Sequence, residues 1–497
     1  MNTKISIIGL EDQIYENETN FVVYKIINKN LKKFIKDYPI GNNILSVYSI
    51  HLLKFITAML LKKNELKKNN VIQDFSDTYL DTFPYISYQE VYKNEINNKK
   101  KFGIHSNNKN RQFLKGLIYY FDNLKNNKLS SSLNALSIID YKYLKKYIDV
   151  NYLFYNKRFA FIDLENQIKI IETIINEIFE NIPLPFSPKL LFSIFKKHIL
   201  ANSFEGRKIN NIAGDFLLLT SGNDTLNRHL ASIAKQFDKK VIILDHAYYT
   251  GYTDDINLGM GEQYFSDYFI TFGNFYKKKK LEYNLSHEYK NTLITSSSKK
   301  ILNIKSIKSI QFKYNLKTKF YYIPTSLRGP NYRFGPFMDI ADKTYLNWQR
   351  NLVSLFKEKL LFKHHPKDKY KKIYSKYHKN INFSYESIYN ILNTDNNTCY
   401  IFDTIGTAFA EIAASKFPII FFDLHQRKIP NFVLDKIKQR CVYIDILNIK
   451  KLDFSYIEDL LINKNFNYNA LDNFSIDDSI TKRDQIEVLN DFLLNKL

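Results

Sequence analysis

The sequence predicts an α/β protein with two Rossmann-type units behind a helical N-terminal extension, and three observations carry that reading. From Phe216 to Leu244, and again from Tyr400 to Phe422, a short apolar run gives way to a polar, glycine-bearing turn, a helical stretch and a second apolar run. That order is the mark of a βαβ unit whose parallel strands are buried on both faces. Ahead of both, residues 1 to about 200 repeat apolar residues at spacings of three and four, with Lys and Asn between them, which is helical periodicity. The expected domains are 1–205, mainly helical and packed on the first Rossmann-like unit; 206–300, that first unit; and 301–497, a second.

Composition sets the outer bounds. A chain of 497 residues, 45% hydrophobic and 15% aromatic, fills two or three cores and is not disordered. Lys and Arg number 72 against 50 Asp and Glu, a net charge of +22. Such an excess suits a polyanionic partner, an anionic membrane surface or an anionic substrate. The joint abundance of Lys, Asn, Ile, Tyr and Phe, as an AT-rich coding sequence gives, accounts for it equally well without a partner. Cys399 and Cys441 lie beside apolar runs and form no framework, so they read as buried reduced thiols of a cytosolic protein. At the amino terminus, Lys4 and the run Ile5 to Leu10, followed by acidic residues, read as a first strand and not as a signal peptide. The run Ile44 to Leu61 contains Ser46, Ser49, His51 and Lys54, which makes it a buried or amphipathic helix and not a membrane span.

In order along the chain, helical spacing covers Phe21–Tyr38, Ile44–Leu66, Arg111–Leu124, Tyr141–Tyr155 and Leu164–Phe179, with a basic, Asn-rich loop at Asn97–Asn110. Pro183, Pro185 and Pro188 break the pattern before a helix at Leu190–Ala201. Seven of the fourteen glycines then fall between Gly206 and Gly273, where backbone must turn tightly or approach something closely. Here Phe216–Leu219 and Val241–Leu244 read as strands around the helix Thr225–Phe237, the second strand ending in Asp245-His246, and Tyr268–Phe272 reads as a third. Residues 277–319 hold neither Gly nor Pro and read as the inter-domain connection. Tyr321–Pro324 opens the second sheet, and the loop after it carries Arg328 and Arg333, whose guanidinium forks suit phosphate or carboxylate oxygens. Tyr345, Trp348, Leu352 and Leu355 share one helix face, which places Trp348 in the core.

Two polar segments stand at predicted strand ends of the second unit, where α/β sheets bind their ligands. Lys363-His364-His365-Pro366 follows Leu360-Leu361-Phe362, and Asp403-Thr404-Ile405-Gly406-Thr407 follows Tyr400-Ile401-Phe402. Lys363 and His365 offer fixed cationic donors to an anion; Thr404, Gly406 and Thr407 offer hydroxyls and backbone N–H groups at the start of the 407–416 helix. Glu411, one turn in, is placed to accept ribose hydroxyls, and His364 points to the opposite face of its strand. Each also has an ordinary role open to it: solvated strand end, packed histidine, helix cap or exposed helix residue. In the first unit His246 suits a general base, since imidazole titrates near neutral pH, with Asp245 as alternative base or orienting group. No Asp-x-Asp pattern stands in either unit, so no metal is expected.

These motifs together resemble bacterial surface-polysaccharide transferases of GT-B architecture. The likeness rests on Lys363-x-His365-Pro366, on Asp403-x-x-Gly406-Thr407 with Glu411, and on His246 after a strand, and it spans about residues 210 to 425. Within that group the chain is similar to transferases of the leptospiral O-antigen type, and more distantly to capsule and glycerophosphotransferase proteins. Where those families show Gln-His-Gly-Gly, this chain has Asp245-His246-Ala247-Tyr248. The resemblance implies two Rossmann-type domains facing across a cleft and a cytoplasmic glycosyltransferase, peripheral to the membrane. It would use a nucleotide sugar, CMP- or CDP-linked among the options, as donor and a lipid-linked or polysaccharide acceptor, with no cofactor and no nucleic-acid partner. Two rivals stay open: a CDP-glycerol-type phosphotransferase, which needs the same phosphate-binding parts, and a non-enzymatic basic protein that binds nucleic acid or anionic lipid.

Overall fold

In the computed structural model, the described residues are 10–61, 133–135, 151–152, 159–184, 187–205, 215–219, 222, 225–246, 250–254, 256, 258–275, 291–307, 314–325, 342–364, 378, 381–394, 397–449, 452–477 and 482–495. They form a mixed α/β protein with two six-stranded sheets, every strand pairing parallel, and a separate two-stranded parallel ladder. No helix among them is long and apolar enough to cross a membrane.

The N-terminal helices are α1 (Leu10–Asp37), α2 (Ile44–Leu61), α3 (Leu164–Asn181) and α4 (Pro188–Asn202). Leu10 opens α1, and the rest of the expected strand Ile5–Leu10 lies outside the described residues. Their apolar stripes meet in one core, including Ile27, Leu45, Ile171 and Phe195. The proline break is as expected: Pro188 takes the first helical position of α4, where its missing N–H costs nothing, and Ser187 Oγ accepts from Leu190 N at 3.2 Å. The buried amide of Gln167 ties α3 to the α1–α2 corner, accepting from Ile44 N and donating to the carbonyls of Asn42 and Ile162.

This region is not wholly helical. It contributes β1 (Leu133–Ala135), β2 (Asn151–Tyr152) and the paired β3 (Phe159–Phe161) and β4 (Ser203–Glu205). Asn151 and Tyr152, expected within a helix at Tyr141–Tyr155, lie in an edge strand. A two-residue strand has no period to betray it, and pairing supplied by the rest of the sheet overrides local propensity. The expected helix Arg111–Leu124 and loop Asn97–Asn110 fall outside the described residues.

The first sheet continues with β5 (Phe216–Leu219), β6 (Lys240–Leu244), β7 (Tyr268–Phe272) and β8 (Thr292–Ser296), in the order β2-β1-β5-β6-β7-β8. Alternation along β5 and β6 puts Leu217, Leu219, Val241 and Ile243 against α5 (Thr225–Gln236), and Phe216, Leu218, Ile242 and Leu244 on the other face. That second face is covered from the far end of the chain. Val488, Leu489 and Leu493 of α12 (Gln485–Leu494) pack on it, so the last helix joins the first unit and not the 301–497 unit. Two apolar sheet faces need two covers, and α5 supplies only one. Arg228 of α5 fastens the N-terminal helices to this unit: fully buried, it donates to the carbonyls of Ser46, Val47 and Met260 and to Ser49 Oγ at 2.7–3.1 Å.

Between the sheets, the connecting segment holds β8 and α6 (Lys299–Lys305). The second sheet comprises β9 (Lys319–Tyr322), β10 (Leu360–Lys363), β11 (Asn382–Ser384), β12 (Thr398–Phe402), β13 (Ile419–Asp423) and β14 (Val442–Asp445), in the order β11-β10-β9-β12-β13-β14. One face packs on α7 (Asp342–Phe356) and α11 (Phe454–Asn463), with Trp348 and Leu352 fully buried. The other packs on α6, α8 (Ile388–Thr394), α9 (Thr407–Ala413) and α10 (Asn431–Arg440). Arg440, fully buried at the end of α10, donates to the carbonyls of Ile412, Ala413, Ser415 and Phe417 at 2.9–3.2 Å, satisfying the C-terminal end of α9. Both cysteines are buried and free, and burial pushes the Cys441 thiol up to about 12.

Asp403, just past β12, turns inward. Its carboxylate accepts from Tyr322 on β9, from Tyr345 Oη at 2.9 Å and from Trp348 Nε1 at 2.8 Å, both on α7. Burial pushes the carboxyl up to about 6, against the pull of those three donors. A carboxyl raised in the folded state stabilises the fold fully below its unfolded value of about 4 and loses that contribution as pH rises through about 6. Asp403→Asn removes the titration, so its deficit relative to the parent is expected to be larger at pH 5 than at pH 7.5, by on the order of 1 kcal/mol. Urea midpoints of both proteins at the two pH values measure this; a deficit that grows with pH contradicts it.

Candidate functional site

The second sheet starts at β9, builds outward through β10 and β11, then returns to the other side of β9 with β12, β13 and β14. This is the order of doubly wound mononucleotide-binding sheets, and their ligands lie at the carboxyl ends of the strands where the order reverses. Here that place is between β9 and β12. After β9 come Ile323, whose N–H extends the ladder to Ile401 O, and Thr325, whose N–H reaches Tyr345 Oη at 3.0 Å. After β12 comes the turn Asp403–Thr407. With Asp403 fixed inside, Thr404 and Thr407 stay partly exposed, and Thr404 Oγ1 donates to Gln426 Oε1 at 2.9 Å. Gly406 needs no glycine for its conformation, since its φ of −156° suits any residue. A Cβ there would meet nothing within 4 Å, so the turn borders open space.

Lys363 ends β10, two strand spacings or roughly 10 Å from β12. It is buried, not a solvated strand end, with Nζ donating weakly to His364 O at 3.4 Å. Burial lowers its ammonium below the usual lysine range, and Glu386 raises it in part. His364 is buried too, its ring stacked on Phe383 and Tyr385 with centroids 4.8 and 5.1 Å apart. Glu411 does not face open solvent: it is buried on α9 and pairs with Lys300 of α6 at 2.5 Å. Burial pushes its carboxyl up, and Lys300 pulls it down. His365, Arg328 and Arg333 lie outside the described residues.

In the first sheet, Asp245 and His246 follow β6 and diverge. Asp245 is buried, takes Thr271 Oγ1 at 3.1 Å and is held through its backbone by Ile270 O and Gln485 Nε2. His246 is about half exposed, its side chain 45% accessible, and its Nδ1 lies 4.0 Å from Glu262 Oε1. Glu262, which the sequence reading passed over, sits in a π-helical turn, Leu258–Gln263. Such turns insert a residue and concentrate at functional sites. Its other oxygen accepts from Gly222 N at 2.7 Å. Gly222 must be glycine, because a Cβ there would lie 2.0 Å from Gly261 O. The signal in the sequence is the pair Gly259 and Gly261 directly before Glu262, with Gly222 in the turn after β5.

The carboxyl-end segments of the first sheet touch the second unit. Asp254 N donates to Lys428 O at 2.8 Å, Asn274 N to Asn473 O at 3.1 Å and Ser298 N to Ser475 O at 3.0 Å. The Tyr252 ring stacks on Phe474 and meets Phe409 of α9 edge-on. No family model, curated protein or solved structure matches the chain.

Gly222→Ala is expected to cost roughly 1–3 kcal/mol through overpacking and to displace Glu262 from His246. Denaturant midpoints check the first effect. The second appears as a shift of the His246 ring signals in two-dimensional NMR, and unchanged signals at this position exclude the link between Gly222 and Glu262.

Proposed function

We propose that the protein is a metal-independent glycosyltransferase of GT-B type, with its two sheets facing across a cleft. It moves a sugar from a nucleotide-activated donor to a hydroxyl of a surface-polysaccharide or lipid-linked acceptor, at the cytoplasmic face of the membrane. The observation that carries this reading is the reversal of strand order between β9 and β12, with the open Thr404–Thr407 turn at that point. A donor diphosphate set there meets hydroxyls and backbone N–H groups, with the Lys363 ammonium on a nearby strand, in place of a metal ion. The basic balance of +22 favours anionic surfaces and substrates.

On the acceptor side His246 is the base. Glu262 faces Nδ1 as an ion-pair partner at 4.0 Å, which leaves Nε2 to take the acceptor proton as the new glycosidic bond forms and the nucleotide leaves with its bonding electrons. Asp245, turned to Thr271, serves the fold of the loop and not the proton transfer. Glu262 then takes the orienting role that the sequence offers to Asp245. Glu411, already paired with Lys300, is not needed for ribose binding.

A screen of nucleoside mono- and diphosphates by thermal shift finds the donor base, and turnover with the matching nucleotide sugars is then measured. His246→Asn is expected to lose about 10²–10⁴-fold in turnover with donor affinity unchanged, and activity is expected to survive EDTA. Absence of stabilisation by any nucleotide removes the reading; full activity of His246→Asn removes the base. Loss in EDTA restored by a divalent ion removes the metal-free step.

A separate expectation concerns Lys363. Burial disfavours its ammonium and a bound phosphate restores it, so nucleotide affinity falls as pH rises through the lysine's lowered pKa. Titration calorimetry from pH 7 to pH 10 on the parent and Lys363→Met tests this, and an equal slope in both proteins contradicts it.

A further inference from the structure

The carboxyl ends of β13 and β14 carry a second histidine–carboxylate pair, which the proposed transfer leaves unused. His425 Nε2 lies 2.8 Å from Asp445 Oδ1, and both side chains are partly exposed. Asp445 is filled by donors: Leu447 N and Asn448 N share Oδ1 with the imidazole, and Asn448 Nδ2 gives to Oδ2 at 2.6 Å. Burial pushes the Asp445 carboxyl up, but His425 and Asn448 pull it to a net value below the ordinary range. An ionised partner keeps the proton on Nε2 and leaves Nδ1 as the free polar edge of the ring.

His425 is held there against its backbone preference. Its φ is +52°, a left-handed conformation that side chains seldom adopt. Its N–H donates to Asp423 Oδ1 at 2.8 Å, and Tyr443 Oη donates to the other oxygen of Asp423. Residues fixed in such conformations by several partners gather at functional sites. The next residues place the loop between the two units: Gln426 holds Thr404 of the open turn, and Lys428 O takes the N–H of Asp254. Among the described residues, Asp445 meets the ring, Asp423 accepts from the His425 N–H, and Lys438 of α10 lies over the Tyr443 ring.

Resting on the nucleotide-donor reading, we propose that His425 and Asp445 form a subsite for an anionic group, carboxylate or phosphate, on the unit being transferred. A ligand centred on the β9–β12 reversal lays one half over β9–β11 and the other over β12–β14. The exposed rings of Tyr385 and Tyr389 beyond β11 offer a stacking surface for the base. The transferred unit therefore lies over β12–β14, where the imidazolium, with Asp445 as its counter-ion, donates Nδ1–H to an anion.

Calorimetry at pH 6.5 tests this with three probes: CMP, a CMP-linked sugar bearing a carboxylate, and CDP-glycerol, whose transferred unit bears phosphate. At pH 6.5 one of the two linked donors is expected to bind about ten- to a hundred-fold tighter than CMP, and which one does so identifies the anion. That gain vanishes in His425→Asn, while CMP affinity is unchanged. Asp445→Asn keeps the ring but removes its counter-ion and is expected to lose the gain as well, with CMP affinity unchanged; melting temperatures check both folds. A gain that persists in His425→Asn, or that neither donor shows while CMP binds, overturns the proposal and leaves the nucleotide site standing. Failure of CMP and both donors to bind removes this subsite together with the CMP/CDP form of the donor reading.

Discussion

The second unit depends on a carboxyl group buried where water cannot reach it. Asp403 leaves β12 pointing into the core, and removing an ionisable group from water is costly unless donors replace its hydration. Tyr322, Tyr345 and Trp348 do so, and because they come from β9 and α7 they fix three elements to one atom group. The consequence is local geometry. Strands β9 and β12 flank the reversal of the sheet, so the group that joins them also sets the gap above them, and with Asp403 spoken for, Thr404 and Gly406 face outward.

Two buried arginines do related work at larger scale. Arg228 and Arg440 each donate to several carbonyl oxygens, whose partial charges accept a guanidinium's forked donors. Arg228 locks the N-terminal helices to the first sheet, and Arg440 holds the end of the helix that begins at the open turn. With α12 returning to the first sheet and backbone bonds such as Asp254 to Lys428 between the units, the carboxyl-end loops of both sheets become neighbours. His246 after β6, with Glu262 in the turn Leu258–Gln263, stands on these loops in one unit, and the turn Thr404 to Thr407 in the other.

Much of this was legible in the sequence, because buried parallel strands announce themselves. Phe216–Leu219, Val241–Leu244 and Tyr400–Phe402 are apolar without interruption and bounded by Gly, Asn or Asp, and Trp348 lies on a helix stripe with Tyr345 and Leu352. What escaped lacks a local signature. Leu133–Ala135 and Asn151–Tyr152 are too short for a period, and α12 is an ordinary amphipathic helix whose docking face is chosen by the sheet left uncovered. Burial of charge also escapes a local reading: Lys363, offered to an anion or to solvent, and Glu411, offered to ribose or to solvent, are both buried, the one at the end of β10 and the other against Lys300. Glu262 with His246, and Asp445 with His425, are separated by 16 and 20 residues and meet only through the fold.

Hydrogen–deuterium exchange in the presence and absence of the nucleotide that most stabilises the protein tests the central claim most directly, because it reports where the ligand sits without knowledge of the sugar or acceptor. The account predicts slowed exchange in peptides covering 321–325 and 403–411, with little change in α1 to α4. Nucleotide binding that leaves 403–411 unprotected, or that protects only the N-terminal helices, would contradict it.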